Sequence, residues 1–376
     1  MIRWQKTMLS VFVAMVASGS LVRAQESADG WRLAQPDYAL EFPRDHAAHT
    51  DYRIEWWYYT GNVETAEGRR FGYQLTFFRV GIDRIPTNPS QWTVRDLHMA
   101  HFAITDVERG IHRVSERLNR SGVGWSGAST EALQVWNEEW RASMNGTTHR
   151  LQAADTTDHG QLSLDLHLDS GNAVPVQHGV NGFSQKGGEI GNASHYYSFT
   201  RLDTVGRLVV DGESFDVSGL SWMDHEFGSS FLEESQIGWD WFSIQLDDGT
   251  DVMVYTIRSV DGNSVRLSSG TVVTTDAITV LESSDYQLEP IRRWTSARTG
   301  APYPVVWELE LPNEGLSLDI VAVMDAQELV TAESTGVTYW EGAVDVSGTR
   351  NGESISGRGY LEMTGYAGPP MSTVLR

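Results

Sequence analysis

The 376-residue sequence contains no cysteine. That excludes disulfide staples, thiolate metal ligands, a cysteine nucleophile and a lipid-modified cysteine anchor. Lysine is almost absent too. Lys6 and Lys186 are the only two, and arginine supplies the rest of the positive charge. With 28 basic and 50 acidic residues the formal net charge is −22. Such a surface repels nucleic acid and anionic headgroups, because both are bound by neutralising phosphate with Lys and Arg. It reads as a soluble, charge-repelled surface, and no nucleic-acid partner is expected. Long stretches of helical periodicity are scarce. Beyond the N-terminus no apolar run is long enough to cross a bilayer as a helix.

The N-terminus is different in kind. Arg3 and Lys6 precede an apolar run from Met8 to Val22, followed by Val22-Arg23-Ala24. The run is shorter than the roughly 20 residues that span a bilayer. Basic start, short apolar run and small residues form the pattern of a secretory signal peptide over residues 1–24; a retained anchor is the alternative. Its removal would take away three positive charges and no acid, making the chain more acidic still. A periplasmic or extracellular location is therefore expected.

Short runs rich in Val, Ile, Thr, Tyr, Phe and Trp fill the remainder, split by Gly, Asn and Asp turns. In "QLSLDLHLDSGN", Leu162, Leu164, Leu166 and Leu168 share one face of a strand and Ser163, Asp165 and His167 the other. Hairpin turns are expected around Asp261-Gly262-Asn263 and at Asn351-Gly352. The pattern predicts an all-β protein of sandwich or barrel type. Ser126 to Arg141 fits either one short helix or a strand pair. "WYYTGNVETAEGRRFGYQLTFFR" from Trp57 and "WFSIQLDDGTDVMVYTIR" from Trp241 echo one another: an aromatic strand, an acidic turn with glycine, then a strand ending in Arg. Two β modules that open alike would produce that echo. The division is placed after the Asp211-Gly212-Glu213 turn, giving domains 25–218 and 219–376.

Candidate chemistry is sparse. His98 and His101 resemble a chelating pair, but residues three apart on a strand point to opposite faces and cannot hold one ion. No metal site is expected. "GWSGAS" and "GLSWMDH" lack the strand-turn-helix setting of a serine nucleophile, and "SQKGGEIG" lacks the spacing of a phosphate loop. Carboxylates remain. In "SWMDHEFGSS", Asp224 and Glu226 share a face with Trp222, while Met223, His225 and Phe227 take the other. Asp240 sits between Trp239 and Trp241. A carboxylic acid in an aromatic wall has a raised pKa and can act as a general acid. The bland alternative is that Asp224 and Glu226 pair with Arg or cap a turn. A sugar-active or sugar-binding protein is a third reading, since paired carboxylates and tryptophans serve sugars too. The run Trp56, Trp57, Tyr58, Tyr59 puts aromatics on both faces of one strand, one for a core and one for a cavity.

Long blocks in fixed order, among them "EWWYYTGNVETAEGRRFGYQLTFFR", "HMAHFAITD", "SWMDHEFGSS", "GWDWFSIQLDDGTDVMVYTIR" and "YWEGAVDVSGTRNGESISGRGYLEMTGY", resemble the AttH family. These lipocalin-like proteins are related to bacterial carotenoid 1,2-hydratase, or hydroxyneurosporene synthase. The resemblance runs from about Tyr38 to Tyr366. It implies two lipocalin-like β domains packed together around a ligand cavity, with no cofactor. It implies two functions: an exported protein that holds an apolar lipid or isoprenoid ligand, or a hydro-lyase adding water across an isoprenoid double bond. Neighbouring ABC transporter permeases in the family point to a transporter partner. For hydration, the residue types needed are supplied by Asp224, His225, Glu226 and Asp240 as acid and base. Trp56, Trp57, Tyr59, Trp222, Trp239, Trp241 and Tyr255 are the expected ligand-facing aromatics.

Overall fold

The computed structural model describes residues 25–189, 191–230, 232–261 and 267–374. The expected signal peptide and the hairpin tip at Gly262-Asn263 lie outside them. The chain is almost wholly β, in two curled, barrel-like sheets. The first holds β1 (Ile54–Glu64), β2 (Arg70–Gly81), β3 (Asp96–Asp106), β4 (Ile111–Arg120), β5 (Ser126–Ala128), β6 (Gln134–Asn137), β7 (Trp140–Asn145), β8 (Thr148–Thr157), β9 (Gly160–Asp169), β10 (Val176–Gln177), β11 (Phe183–Gln185), β12 (Ala193–Val210) and β13 (Glu213–Ser230). The second holds β14 (Gln236–Leu246), β15 (Asp251–Ser259), β16 (Ser269–Val273), β17 (Ile278–Glu282), β18 (Gln287–Thr295), β19 (Pro302–Leu311), β20 (Leu316–Ala322), β21 (Glu328–Val330), β22 (Thr338–Arg350) and β23 (Glu353–Ala367).

The strand order is β4-β3-β2-β1-β13-β12-β9-β8-β7-β6-β5 in the first sheet, with β10 and β11 also on β12. In the second it is β17-β16-β15-β14-β23-β22-β20-β19-β18, with β21 also on β22. Bridges from Ser121 and Gly122 to Ser126 bring the two ends of the first sheet together. The ambiguous Ser126 to Arg141 segment is a strand pair leading into β7. The division expected at Gly219 falls inside β13, and the change of sheet comes between Ser230 and Gln236. "SWMDHEFGSS" thus ends the first sheet.

Alternation sorts the side chains. Trp57, Tyr59, Phe77, Leu164, Met223 and Phe227 pack inside the first sheet. Phe242, Val254, Trp307, Leu318 and Trp340 fill the second. A third cluster joins them, with Tyr58, Tyr196 and Trp222 of the first sheet against Trp241, Tyr255 and Tyr360 of the second. β1 carries aromatics on both faces because its outer face is covered by the other sheet. Polar contacts fix the docking. Asn62 Nδ2 donates to Gly359 O at 3.0 Å, Gln245 Nε2 to Ser221 O at 3.1 Å, and Arg201 pairs with Asp251 at 2.6 Å.

Candidate functional site

Between the two sheets lies a cavity of about 340 Å³, within the size range of small-molecule sites. Every other residue of each bordering strand faces it. The first sheet contributes Ile54, Trp56 and Tyr58 from β1, Thr76, Phe78 and Val80 from β2, and Leu97, Met99 and His101 from β3. Tyr196 of β12 and Asp224 and Glu226 of β13 complete that wall. The second sheet answers with Trp239 and Trp241, Tyr255 and Ile257, Tyr339 and Glu341, and Glu362 and Thr364. Lys186, from the segment between β11 and β12, reaches in at one side.

The register places the acids. Tyr58 lies opposite Asp224 and Trp56 opposite Glu226 across β1 and β13. On the other wall Glu362 sits between Trp241 and Glu341 on the flanking strands. Asp224 accepts from Trp222 Nε1 at 2.6 Å, from Tyr196 Oη at 2.8 Å and from Ser198 Oγ. Tyr196 Oη in turn accepts from Trp241 Nε1 at 3.0 Å, linking the two walls. Burial pushes the Asp224 carboxyl up to about 7, against the pull of its three donors. Burial likewise lifts Glu362 to about 8, with Asp224 and Glu226 adding to the rise. Glu341, fully desolvated and beside Glu362, is raised well above the usual carboxylate range, although the hydroxyls of Tyr58 and Tyr339 oppose the shift. Glu226 differs: it accepts from Ser194 Oγ and pairs with Lys186 Nζ at 2.6 Å. The cavity therefore combines the Lys186–Glu226 ion pair with carboxyl groups whose hold on a proton burial strengthens. That is an apolar space furnished with acids.

The residues expected at a site separate by face. Trp56, Trp239, Trp241, Tyr255, Asp224 and Glu226 line the cavity. Trp222 shares the face of these acids but packs in the cluster between the sheets beside the cavity, touching its wall through Asp224. His225 points the opposite way, into the first barrel. There its Nε2 meets Glu55 Oε1 at 2.9 Å and its Nδ1 meets Tyr197 Oη at 2.9 Å. Burial lowers its pKa, with Glu55 acting against the shift. Trp57 stacks on His225 at 5.0 Å between ring centroids, and Tyr59 bonds His149 at 3.0 Å in the same interior. Asp240 also faces away from the cavity, paired with Arg258 at 3.0 Å, and burial raises it to about 6. His98 and His101 take opposite faces as expected: His101 lines the cavity, bonded to Tyr339 Oη at 2.6 Å and Ser334 Oγ at 2.9 Å.

His49, Glu55 and His225 bring three ligand atoms within 4.8 Å of one another. Glu55, however, is already held by both imidazoles and by Arg79 Nε at 3.1 Å, so the triad is a closed hydrogen-bonded knot. Sequence reasoning missed Glu341, Glu362, Tyr58, Tyr196, His101 and Lys186. The usable signal was a lone acid inside an otherwise apolar stretch, as in "YWEGAV" and "YLEMTG".

The AttH-like family model matches residues 33–366. A crystal structure of a protein of Nitrosomonas europaea described as an AttH is 34% identical with a TM-score of 0.80, covering 89% of this chain and 99% of the other. Kievitone hydratase of Nectria haematococca superposes with a TM-score of 0.66 at 17% identity, covering 88% of this chain and 94% of that one. A structure of CghA with Sch210972 gives 0.55 at 13% identity, over 91% and 98% of the two chains. These last two are similar in fold alone. No curated protein matches the chain. The matched span, the two curled sheets and the 34% identity carry one conclusion: the chain belongs to the AttH-like family.

Proposed function

We propose that this protein holds an apolar ligand of lipid or isoprenoid type in the cavity between its sheets, and does so outside the cytoplasm. One observation supports the reading above others. The cavity-facing side of β1, β2, β3, β14 and β15 is mainly apolar and aromatic, and neither barrel core uses it. Burying a ligand there removes that surface from water, at about 25 cal/mol per Å². Native mass spectrometry of protein purified from its own host tests this. A bound lipid is expected; absence of any bound lipid, together with no uptake of apolar probes, sinks it. The basic and apolar N-terminus supports export, and the family's neighbouring permeases support a transporter as partner.

A second reading rests on the raised carboxyls. A protonated Asp224 or Glu362 beside aromatic faces can donate its proton to one alkene carbon, forming a C–H bond. The cation left on the other carbon lies against Trp56, Trp239 and Trp241, whose π faces attract it. Water then adds, forming a C–O bond, and its surplus proton restores the carboxyl. Incubation with an acyclic carotenoid in isotopically labelled water decides: without hydroxylated product the hydratase reading falls. With product, Asp224→Asn or Glu362→Gln abolishes it. Asp240→Asn does not, since Asp240 lies behind the wall.

A further inference from the structure

Lys186 is the only lysine beyond Lys6, and it is buried inside an apolar cavity. Its ammonium lies 2.6 Å from Glu226, over the rings of Tyr255 at 4.9 Å and Tyr196 at 5.5 Å. Only 11% of its side chain is exposed. Elsewhere, the buried carboxylates of Glu55, Asp96, Asp106, Asp240 and Asp251 pair with arginine. Arginine is the better residue for a purely structural buried ion pair, because its planar fork is always charged and bonds twice. In a chain with two lysines, one stands at this buried position. What an ammonium can do and a guanidinium cannot is lose a proton and attack carbon.

We propose that Lys186 captures an apolar aldehyde as a reversible imine. This rests on the reading of the cavity as an apolar-ligand site and adds the reactive group of the ligand. The ammonium, which Glu226 holds in its charged form, first gives one proton to solvent. The freed amine attacks the carbonyl carbon, forming the C–N bond, and a proton moves from nitrogen to oxygen to give the carbinolamine. A proton from solvent goes to the departing hydroxyl, the C–O bond breaks and one water leaves. The product is an iminium whose single positive charge stays opposite Glu226. No electrons enter or leave. Asp224, on the same strand face as Glu226, presents an acid to the carbonyl oxygen during attack. The alkyl part of the ligand lies along Trp56, Phe78 and Met99.

Dodecanal with cyanoborohydride, read by mass spectrometry and peptide mapping, tests the proposal, with dodecanol as the probe that cannot react. Wild type is expected to bind dodecanol and to gain one dodecyl group at Lys186. Lys186→Arg, which keeps the charge opposite Glu226, should bind dodecanol and gain none. Glu226→Gln provides a second readout: without its anionic partner the ammonium gives up its proton more readily, so the pH profile of trapping moves to lower pH. Dodecanol binding with no adduct, or an adduct at Lys6 or the α-amine that persists in Lys186→Arg, overturns the imine while leaving the cavity reading intact. If neither probe binds, the cavity reading fails and the imine with it.

Discussion

In the first sheet a meander of four strands leads through β1 to the last strand, β13, which pairs with β12. In the second, four strands lead through β14 to the last strand, β23, which pairs with β22. Even the turns correspond. Asp211-Gly212 closes β12 on β13 and Asn351-Gly352 closes β22 on β23, all four residues at positive φ, the geometry of a tight two-residue hairpin. The interiors are unlike. Within the first barrel Arg79, 1% exposed, bridges Glu55 and Asp96, and Glu55 is gripped again by His49 and His225. The second core is mainly apolar, and its ion pair between Asp240 and Arg258 leaves the arginine 14% exposed. A single strand plan tolerates both interiors, provided that buried charge is fully partnered. What the two share is the face turned toward the other, where each offers acids from its last strand: Asp224 and Glu226 from β13, Glu362 from β23.

The largest effect should separate the interiors. Arg79→Met leaves Glu55 and Asp96 without their cation in the dry first core and is expected to cost about 3–5 kcal/mol by urea unfolding. Arg258→Met should cost less, because Asp240, already lifted to about 6, can take a proton instead. Equal costs would remove the distinction. Next come adjacent tryptophans on opposite faces of β1. Trp57→Ala should destabilise by about 3–5 kcal/mol and leave apolar-probe affinity nearly unchanged. Trp56→Ala should weaken the probe by about 1.5–3 kcal/mol, with a smaller loss of stability. Titration of a fluorescent lipid alongside unfolding reads both.

The pH dependence should carry opposite signs for the two faces. Glu55, held well below the usual carboxylate range chiefly by His225 and His49 against the effect of burial, stabilises the fold at neutral pH. That contribution fades as acid protonates it. Asp224 and Glu362 are raised to about 7 and about 8, so the native state keeps protons that the unfolded chain releases. Their effect is a stability that falls as pH rises from about 4 toward those values. Asp224→Asn or Glu362→Gln should flatten the fall between pH 5 and 8 by up to about 1.4 kcal/mol per pH unit for each group. An unchanged slope would mean these acids are ionised in the fold. Smallest of all is Arg358→Ala, which removes a half-exposed bridge to Glu64 at 2.9 Å across the sheets. It should shift stability by no more than about 1 kcal/mol.

Much of this was legible in residues. Alternation at Leu162 to Leu168 gave the β architecture, and the Trp57 and Trp241 hairpins announced the repeated plan. Strand parity correctly split Asp224 and Glu226 from His225, because side-chain direction on a strand is a local property. What parity could not tell was which side was hollow. Trp56 and Trp57 look interchangeable in sequence, and only the docking of the second sheet makes one a cavity wall and the other core. Glu341 and Glu362 escaped notice for the same reason: their meeting with Asp224 depends on contacts between strands more than a hundred residues apart. Lys186 lies in an irregular segment where periodicity has nothing to say.

The hydrogen-bonded knot of Glu55, Arg79, Asp96, His49 and His225 anchors the inner face of β1, so the outer face is left to the cavity at Trp56 and to docking of the second sheet at Tyr58 and Asn62. Each strand around the cavity is anchored by residues one step away, on the other side of its own backbone. Substitutions in the lining at Trp56, Phe78 or Met99 therefore retune the cavity while the apolar core of each barrel, on the far side of the same strands, is left as it was.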